Sequence, residues 1–383
     1  MWPDGKRAAA AFTFDFDAEE VWIGEDPANA DRPGTLSQGT YGAKVAVPQI
    51  LALLRRHGLK ATFFIPGRVA EAHPDRVREI IADGHEVGHH GYTHTSPANL
   101  DAAAEEEELT KALGILRGFG ADPVGYRSPS WDFSKATLGL LEKHGFAYSS
   151  NLMDDLRPYR HEGKQLVELP IQWILDDAAH FWFDGRESWT RRISTPSEVR
   201  EIWDAEFAGI RDLGGAFVLT MHPQIIGRPS RLALLDGFIA HVRRHTDVWI
   251  TTCREMAARV AEPTQSKNRY FVGHPAEAVY NDLVRDPDGE YVDGLVLAVP
   301  SGSYGRVTVG RESVAWMIPH KSGSVRLILR CAGDVEPKGL SANVVPCDRV
   351  DRQITITAEN VAQGRKLIAW SRSLRQPDRR KRR

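Results

Sequence analysis

The chain has 383 residues, 42% apolar and 26% charged, which is ordinary for a soluble globular protein and leaves room for one large domain or two average ones. A formal net charge of −2 argues against nucleic-acid or membrane partners. The three cysteines, Cys253, Cys331 and Cys347, are odd in number and far apart, so they form neither a disulfide framework nor a cysteine-based zinc site. No signal-like apolar segment precedes the first strand, and a cytoplasmic location is the expectation.

In chain order, Phe12-Thr13-Phe14-Asp15-Phe16-Asp17 reads as the end of a first strand. Alternation puts the three phenylalanines on one face and Thr13, Asp15 and Asp17 on the other. Two carboxylates held that close repel unless a cation or a shared proton lies between them. Val45–His57 has helical periodicity closed by Gly58, and Leu59–Ile65 is a strand. Pro74 opens a helix that Gly84 ends. His85–His90 is a short strand running into a loop, Leu100–Arg117 is a helix, and Val124–Ser128 is a strand. Ser134 caps a helix ended by Gly145. Strands follow around Phe146–Ser150 and Leu166–Pro170. Thr195, Pro196 and Glu198 spell a capping box at the next helix start. Ala216–Met221 and Val248–Thr252 are strands separated by the helix Ser230–Arg244.

Repeated βα units imply a parallel sheet with helices outside it. About seven strands, with no glycine-rich phosphate turn after the first, favour a distorted (β/α) barrel over an open doubly wound sheet. Asp15, Asp17, His90, His94, Arg127 and His222 all fall near predicted strand ends, which form one face of such a barrel. The pattern changes after Glu262. Residues 263–375 read as a β-rich accessory region, with strands at Gly294–Val299, Arg306–Val309, Val314–Ile318, Ser324–Leu329, Gln353–Thr357 and Lys366–Ser371. Residues 376–383 read as a basic disordered tail.

His90-Gly91-Tyr92-Thr93-His94 spaces two imidazoles four apart, which on a helical turn share a face. With Asp17 they make a set of three ligands that leaves positions open for water and substrate, as a hydrolytic metal site requires. Asp15 would stand beside the reactive water, and His222, ending an apolar strand, is the candidate acid. His89 reads as a hydrogen-bonding partner behind a metal ligand or as ordinary loop chemistry. Asp154 and Asp155 either meet a polar substrate or begin a turn. Arg228 and Arg231 suit a carboxylate, an acidic partner or a solvated helix start.

Four ordered motifs carry a resemblance: Thr13–Asp17, His90–His94, Arg127-Ser128-Pro129-Ser130-Trp131 and Leu219-Thr220-Met221-His222. Over about residues 8–260, residues 1–262 being taken as one domain, the chain resembles the polysaccharide deacetylase (NodB-homology, carbohydrate esterase family 4) superfamily. More narrowly it resembles the branch of signal-less bacterial proteins typified by the Helicobacter peptidoglycan deacetylase. The resemblance implies zinc or another divalent ion held by Asp17, His90 and His94. It implies Asp15 as general base, Arg127 as the arginine that orients it, and His222 as general acid. It also implies a backbone N–H at Ser130 aimed at the oxyanion. The family has adjacent aspartates where this chain interposes Phe16, which leaves the division of labour between Asp15 and Asp17 open. Its Trp and Asp motif is matched loosely by Gln172-Trp173-Ile174-Leu175-Asp176-Asp177, with Trp131 and Trp173 as packing residues or substrate walls.

The expected activity is hydrolysis of a non-peptide C–N bond in an N-acetylated sugar, a wall precursor or a related small amide. The substrate expected is a small or oligomeric N-acylated compound, with the β-rich region suited to homo-oligomer formation, a lid or accessory binding. Two other readings stand beside it: an allantoinase-like hydrolase of a cyclic amide, and a catalytically silent glycan-binding protein.

Overall fold

The computed structural model describes residues 2–183, 192–261, 277–283, 305–309, 312–319, 322–330, 345–347, 351–356, 359 and 361–373. The chain divides into two compact units, Met1–Glu262 and Pro263–Arg383.

The first unit is built on a curled, mostly parallel sheet. Its strands are β1 (Ala8–Asp15), β2 (Thr62–Ile65), β3 (Glu86–His89), β4 (Gly125–Tyr126), β5 (Tyr148–Ser149), β6 (Tyr159–Arg160), β7 (Val167–Glu168), β8 (Ala216–Met221) and β9 (Val248–Ile250). Their spatial order is β6-β7-β5-β4-β3-β2-β1-β8, with β9 also paired to β1. Only β6 runs antiparallel to its neighbour. The chain leaving β5 and β7 turns back to β8: the Ala216 N–H donates to Leu156 O at 2.8 Å, and Asp176 bridges Thr220. These links curl the sheet into the distorted barrel that the βα alternation predicts.

Side-chain alternation along β1 and β8 sorts the residues by face. Phe12, Phe14, Phe16, Phe217, Leu219 and Met221 join the core between sheet and helices, where they meet Trp203, Phe207 and Phe238. Ala9, Ala11, Ala216 and Val218 join a second cluster with Phe64, Tyr148 and Val167. The residues that continue this second face, Thr13, Asp15, Thr220 and His222, are polar, so the barrel interior changes from apolar to ionisable at the strand ends.

Helix boundaries follow the local chemistry. Val47–His57 ends on Gly58 at φ 61°, a left-handed position that glycine adopts without strain. Pro196–Leu213 starts with a complete Thr195–Glu198 capping box and ends on Gly214 at φ 72°. The helix placed after Ser134 begins later, at Thr137–Lys143. The first strand also stops sooner than its alternation suggests: it ends at Asp15, and Asp17 lies two residues past it.

Within the second unit, β10 (Gly305–Val309), β11 (Glu312–Pro319), β12 (Val325–Arg330), β13 (Val345–Cys347) and β14 (Asp351–Ile356) form one sheet in the order β10-β11-β12-β14-β13. The predicted strand Lys366–Ser371 is instead part of the helix Val361–Ser373. Val361, Leu367 and Ile368 are buried on it, which is helical rather than alternating spacing, and the helix packs on β11 and β12. The predicted strand at Gly294–Val299 and the basic tail lie outside the described residues. No described helix is long and apolar enough to cross a membrane.

Gly88 in β3 shows how closely sheet and site are coupled. A Cβ there would sit 2.5 Å from the Phe64 ring, and that ring lies 4.2 Å from the Arg127 guanidinium. Gly88→Ala is expected to destabilise the fold by about 1–3 kcal/mol through overpacking. Thermal melting checks this, with a matching loss in the site that Phe64 supports.

Candidate active site

The polar residues at the strand ends line one cleft of about 510 Å3, which includes Asp15, Asp17, His90, His94, Ser130 and His222. Arg127 stands behind it, fully buried. Its Nη1 donates to Asp15 Oδ1 and Thr13 Oγ1, each at 2.8 Å, and its Nη2 to Ser150 Oγ at 3.0 Å. The Arg127 side chain therefore joins β1 to the end of β5, and it holds Asp15 in one orientation by a charge-assisted bond.

Asp17 has different surroundings. Both its carboxylate oxygens are buried and neither has a hydrogen-bond partner. His90 Nε2 lies 3.3 Å and His94 Nε2 3.7 Å from Oδ1, and His222 Nε2 lies 3.7 Å from Oδ2. The His90 Nδ1 sits 2.7 Å from the Arg127 carbonyl, which can only accept, so Nδ1 carries a proton and Nε2 is the nitrogen that faces Asp17. Asp17, His90 and His94 can each offer one ligand atom, all within 4.8 Å of one another. An orphaned buried carboxylate facing two imidazole nitrogens fits a divalent cation.

The two histidines do not meet on a helical turn. Residues 90–96 form an irregular loop after β3, with Gly91 at φ 72° and His94 at φ 57°. Backbone reversal, rather than i,i+4 spacing, brings the imidazoles together, with ring centroids 5.1 Å apart. The loop is pinned from below. Glu108 accepts the N–H groups of Tyr92 at 3.1 Å and Thr93 at 2.9 Å. His89 accepts the Gly91 N–H at Nδ1 and reaches Leu109 O from Nε2, which makes it a neutral support. Burial drives its pKa down to about 4, consistent with that state.

His222 has partners that the sequence reading does not assign. Asp177 accepts from His222 Nδ1 at 2.7 Å and from the His222 backbone N–H at 3.0 Å, while Asp176 Oδ1 lies 3.6 Å from Nδ1. Both lie in the loosely matched Trp-and-Asp motif, which by itself does not tie them to His222. Asp176, Asp177 and His222 also lie close enough to hold an ion, but Asp177 is already satisfied by His222.

Electrostatics separate these groups. Burial opposes ionisation of Asp17, but His94, His90 and His222 outweigh it and hold the carboxyl down to about 2. Burial takes His94 down to about 4. For His222, burial works against the charge, and Asp176 and Asp177 overcome it and lift the ring well above its usual range. Burial pushes Asp176 up to about 7 and raises Asp177 as well, and it is Asp177 that makes the short bonds to His222.

Trp131 and Trp173 stack at the cleft wall, centroids 4.4 Å apart, with Trp173 52% exposed. Ser130 and Trp131 both have φ 61°, a strained conformation for residues with a Cβ. Asp154 and Asp155 stay outside the cleft: Asp155 caps the turn at Leu156 and Arg157, and Asp154 accepts from the Tyr159 hydroxyl. Arg228 and Arg231 line a neighbouring pocket.

Glu108→Ala is expected to cost about 1–3 kcal/mol, because it leaves buried loop N–H groups unpaired. Denaturant unfolding would measure the loss, and hydrogen exchange would show faster exchange at Tyr92 and Thr93.

The chain is similar to known proteins. Residues 37–149 match the polysaccharide deacetylase family model. The peptidoglycan deacetylase of Helicobacter pylori is 32% identical over 276 residues, covering 64% of this chain and 94% of that protein. A Mycobacterium smegmatis structure assigned to the polysaccharide deacetylases is 45% identical with a TM-score of 0.66, covering 68% of this chain and 92% of the other. The structure of Puue allantoinase is 25% identical with a TM-score of 0.60, covering 69% and 93%. With the curled sheet, the ordered motifs and these matches together, the chain belongs to the polysaccharide deacetylase family, whose members are hydrolases of non-peptide amide bonds.

Proposed function

We propose that the protein is a metal-dependent deacetylase of an N-acetylated sugar or a closely related small amide. The observation that carries this reading is the unpartnered, buried Asp17 carboxylate faced by His90 and His94 beside an arginine-held Asp15. Asp17, His90 and His94 would hold zinc or another divalent ion. Such an ion polarises an acyl carbonyl and lowers the pKa of a bound water.

The chain's own groups then divide the proton transfers. Asp15, oriented by Arg127, takes the proton of the attacking water. The Ser130 backbone N–H, on its strained turn at the cleft wall, supports the oxyanion of the tetrahedral intermediate. His222, protonated through Asp177, gives its proton to the leaving amine, and the C–N bond breaks. Arg127 pairs with Asp15, while the imidazoles gather at Asp17. This contrast supports Asp15 as base and Asp17 as ligand despite the intervening Phe16.

A second reading, hydrolysis of a small cyclic amide, draws on the similarity to Puue allantoinase along 69% of the chain. A silent glycan-binding protein is disfavoured because the acid, the base and the ligand set are all present. A panel of N-acetyl sugars and cyclic and linear amides, assayed with added zinc, tests the proposal. Turnover of cyclic amides alone would replace it with the second reading, and turnover of none would remove it.

Two further outcomes are expected. His90→Ala should abolish stoichiometric metal in elemental analysis, and Asp15→Asn should retain metal while losing at least about 100-fold in kcat, as loss of a general base does. The protonated form of His222 is the active acid, so activity falls as pH rises through its raised pKa. Asp177→Asn removes a charge that raises that pKa. The alkaline limb of the kcat profile should therefore move to lower pH, which a pH–rate series would show.

A further inference from the structure

Beside the catalytic cleft lies a second pocket of about 260 Å3 whose wall includes Trp22, Phe181, Trp182, Gln224, Arg228 and Arg231. Trp182 also lines the catalytic cleft, so the two cavities share a wall. Trp22 stacks on it at 5.2 Å.

Three features of this pocket are not used by the catalytic machinery. Gln224 is 4% exposed, yet both its side-chain amide atoms lack a hydrogen-bond partner. A buried amide without partners is costly unless something fills its donor and acceptor. Arg228 and Arg231 are close enough to repel one another, and neither forms an ion pair with a carboxylate among the described residues. The nearby Asp177 carboxylate is already bonded to His222. Both guanidiniums are also preorganised: Arg228 lies over the Tyr41 ring at 3.8 Å and Arg231 over the Phe181 ring at 4.6 Å. Stacking fixes the guanidinium planes and leaves N–H edges to bind an acceptor; among the described residues only Arg231 Nη1 reaches a backbone carbonyl, Ile225 O at 3.2 Å.

Two fixed, unpaired cations beside an unsatisfied amide call for an anion with an adjoining polar group. We propose that this pocket is a carboxylate subsite continuing the catalytic cleft, with Arg228 and Arg231 binding the carboxylate and Gln224 a neighbouring hydroxyl or amide. It follows that the substrate is an N-acylated compound that carries a carboxylate away from its scissile amide. This rests on the deacetylase reading and narrows its substrate class.

The test compares N-acetylmuramic acid, which carries a carboxylate, with neutral N-acetylglucosamine. Arg228→Gln/Arg231→Gln in the full chain should raise KM for the acid about tenfold or more, as loss of charge-assisted hydrogen bonds does, and leave KM for the neutral sugar unchanged. Gln224→Leu should weaken the acid selectively and raise thermal stability by removing the unpaired amide. Equal effects on both sugars, or none, would overturn the subsite. Calorimetric titration of Asp15→Asn with N-acetylmuramic acid reads binding without turnover. Arginine-dependent binding with no turnover by the unaltered chain would retain the subsite and sink the deacetylase reading. Turnover of both sugars without arginine-dependent binding would do the reverse.

Discussion

The site depends on one buried ion pair. Arg127 has no solvent exposure, and an unpaired guanidinium there would be intolerable. Asp15 supplies the countercharge at 2.8 Å, Thr13 and Ser150 take further N–H groups, and the Phe64 ring lies 4.2 Å from the cation. Strands β1, β2 and the end of β5 are thereby tied to a single side chain. The Arg127 carbonyl also engages His90 Nδ1 and so leaves Nε2 facing Asp17. The orientations of the proposed base and of a proposed metal ligand therefore come from the same residue. Removing one member of such a pair typically costs about 3–5 kcal/mol, because the other charge stays buried.

Around this pair the carboxylates divide by what satisfies them. Asp15 has an arginine, Asp177 has a histidine, and Asp17 has imidazoles but no hydrogen bond. The first two are complete as they stand. The third is left without a hydrogen bond by the described residues, which is why it is the proposed cation ligand. Asp176 differs again: burial pushes it to about 7, and it lies 3.6 Å from His222 Nδ1 without the hydrogen bond that Asp177 makes.

Local signals were legible wherever a short-range rule decides the conformation. The Thr195–Glu198 box, the left-handed Gly58 and the apolar run of β8 all stand where the residues place them. Rules of spacing applied outside their conformation did less well. His90 and His94 are four apart, but a loop with positive φ at Gly91 and His94 joins them, and it depends on Glu108 from a helix 15 residues on. The helix Val361–Ser373 was hidden because two adjacent buried residues, Leu367 and Ile368, look alike in a strand and on a helix flank. The Asp177 contact with His222 spans 45 residues of sequence, and nothing local announces it.

The sequence by itself determined the inventory: two aspartates ending a phenylalanine-backed strand, paired histidines after a glycine, an arginine before a proline, and a histidine ending an apolar run. It also determined the repeating βα order that puts such strand ends on one face, since periodicity and caps act within a few residues. Tertiary structure alone decided which charge meets which. The curl of the sheet brings Arg127 to Asp15 across 112 positions and leaves Asp17 to the imidazoles. Phe16 between them is buried in the core behind β1, so the two carboxylates share one cleft with different partners. Buried charges select their partners through space, where the cost of desolvation has to be offset, and that selection is not written in neighbouring residues.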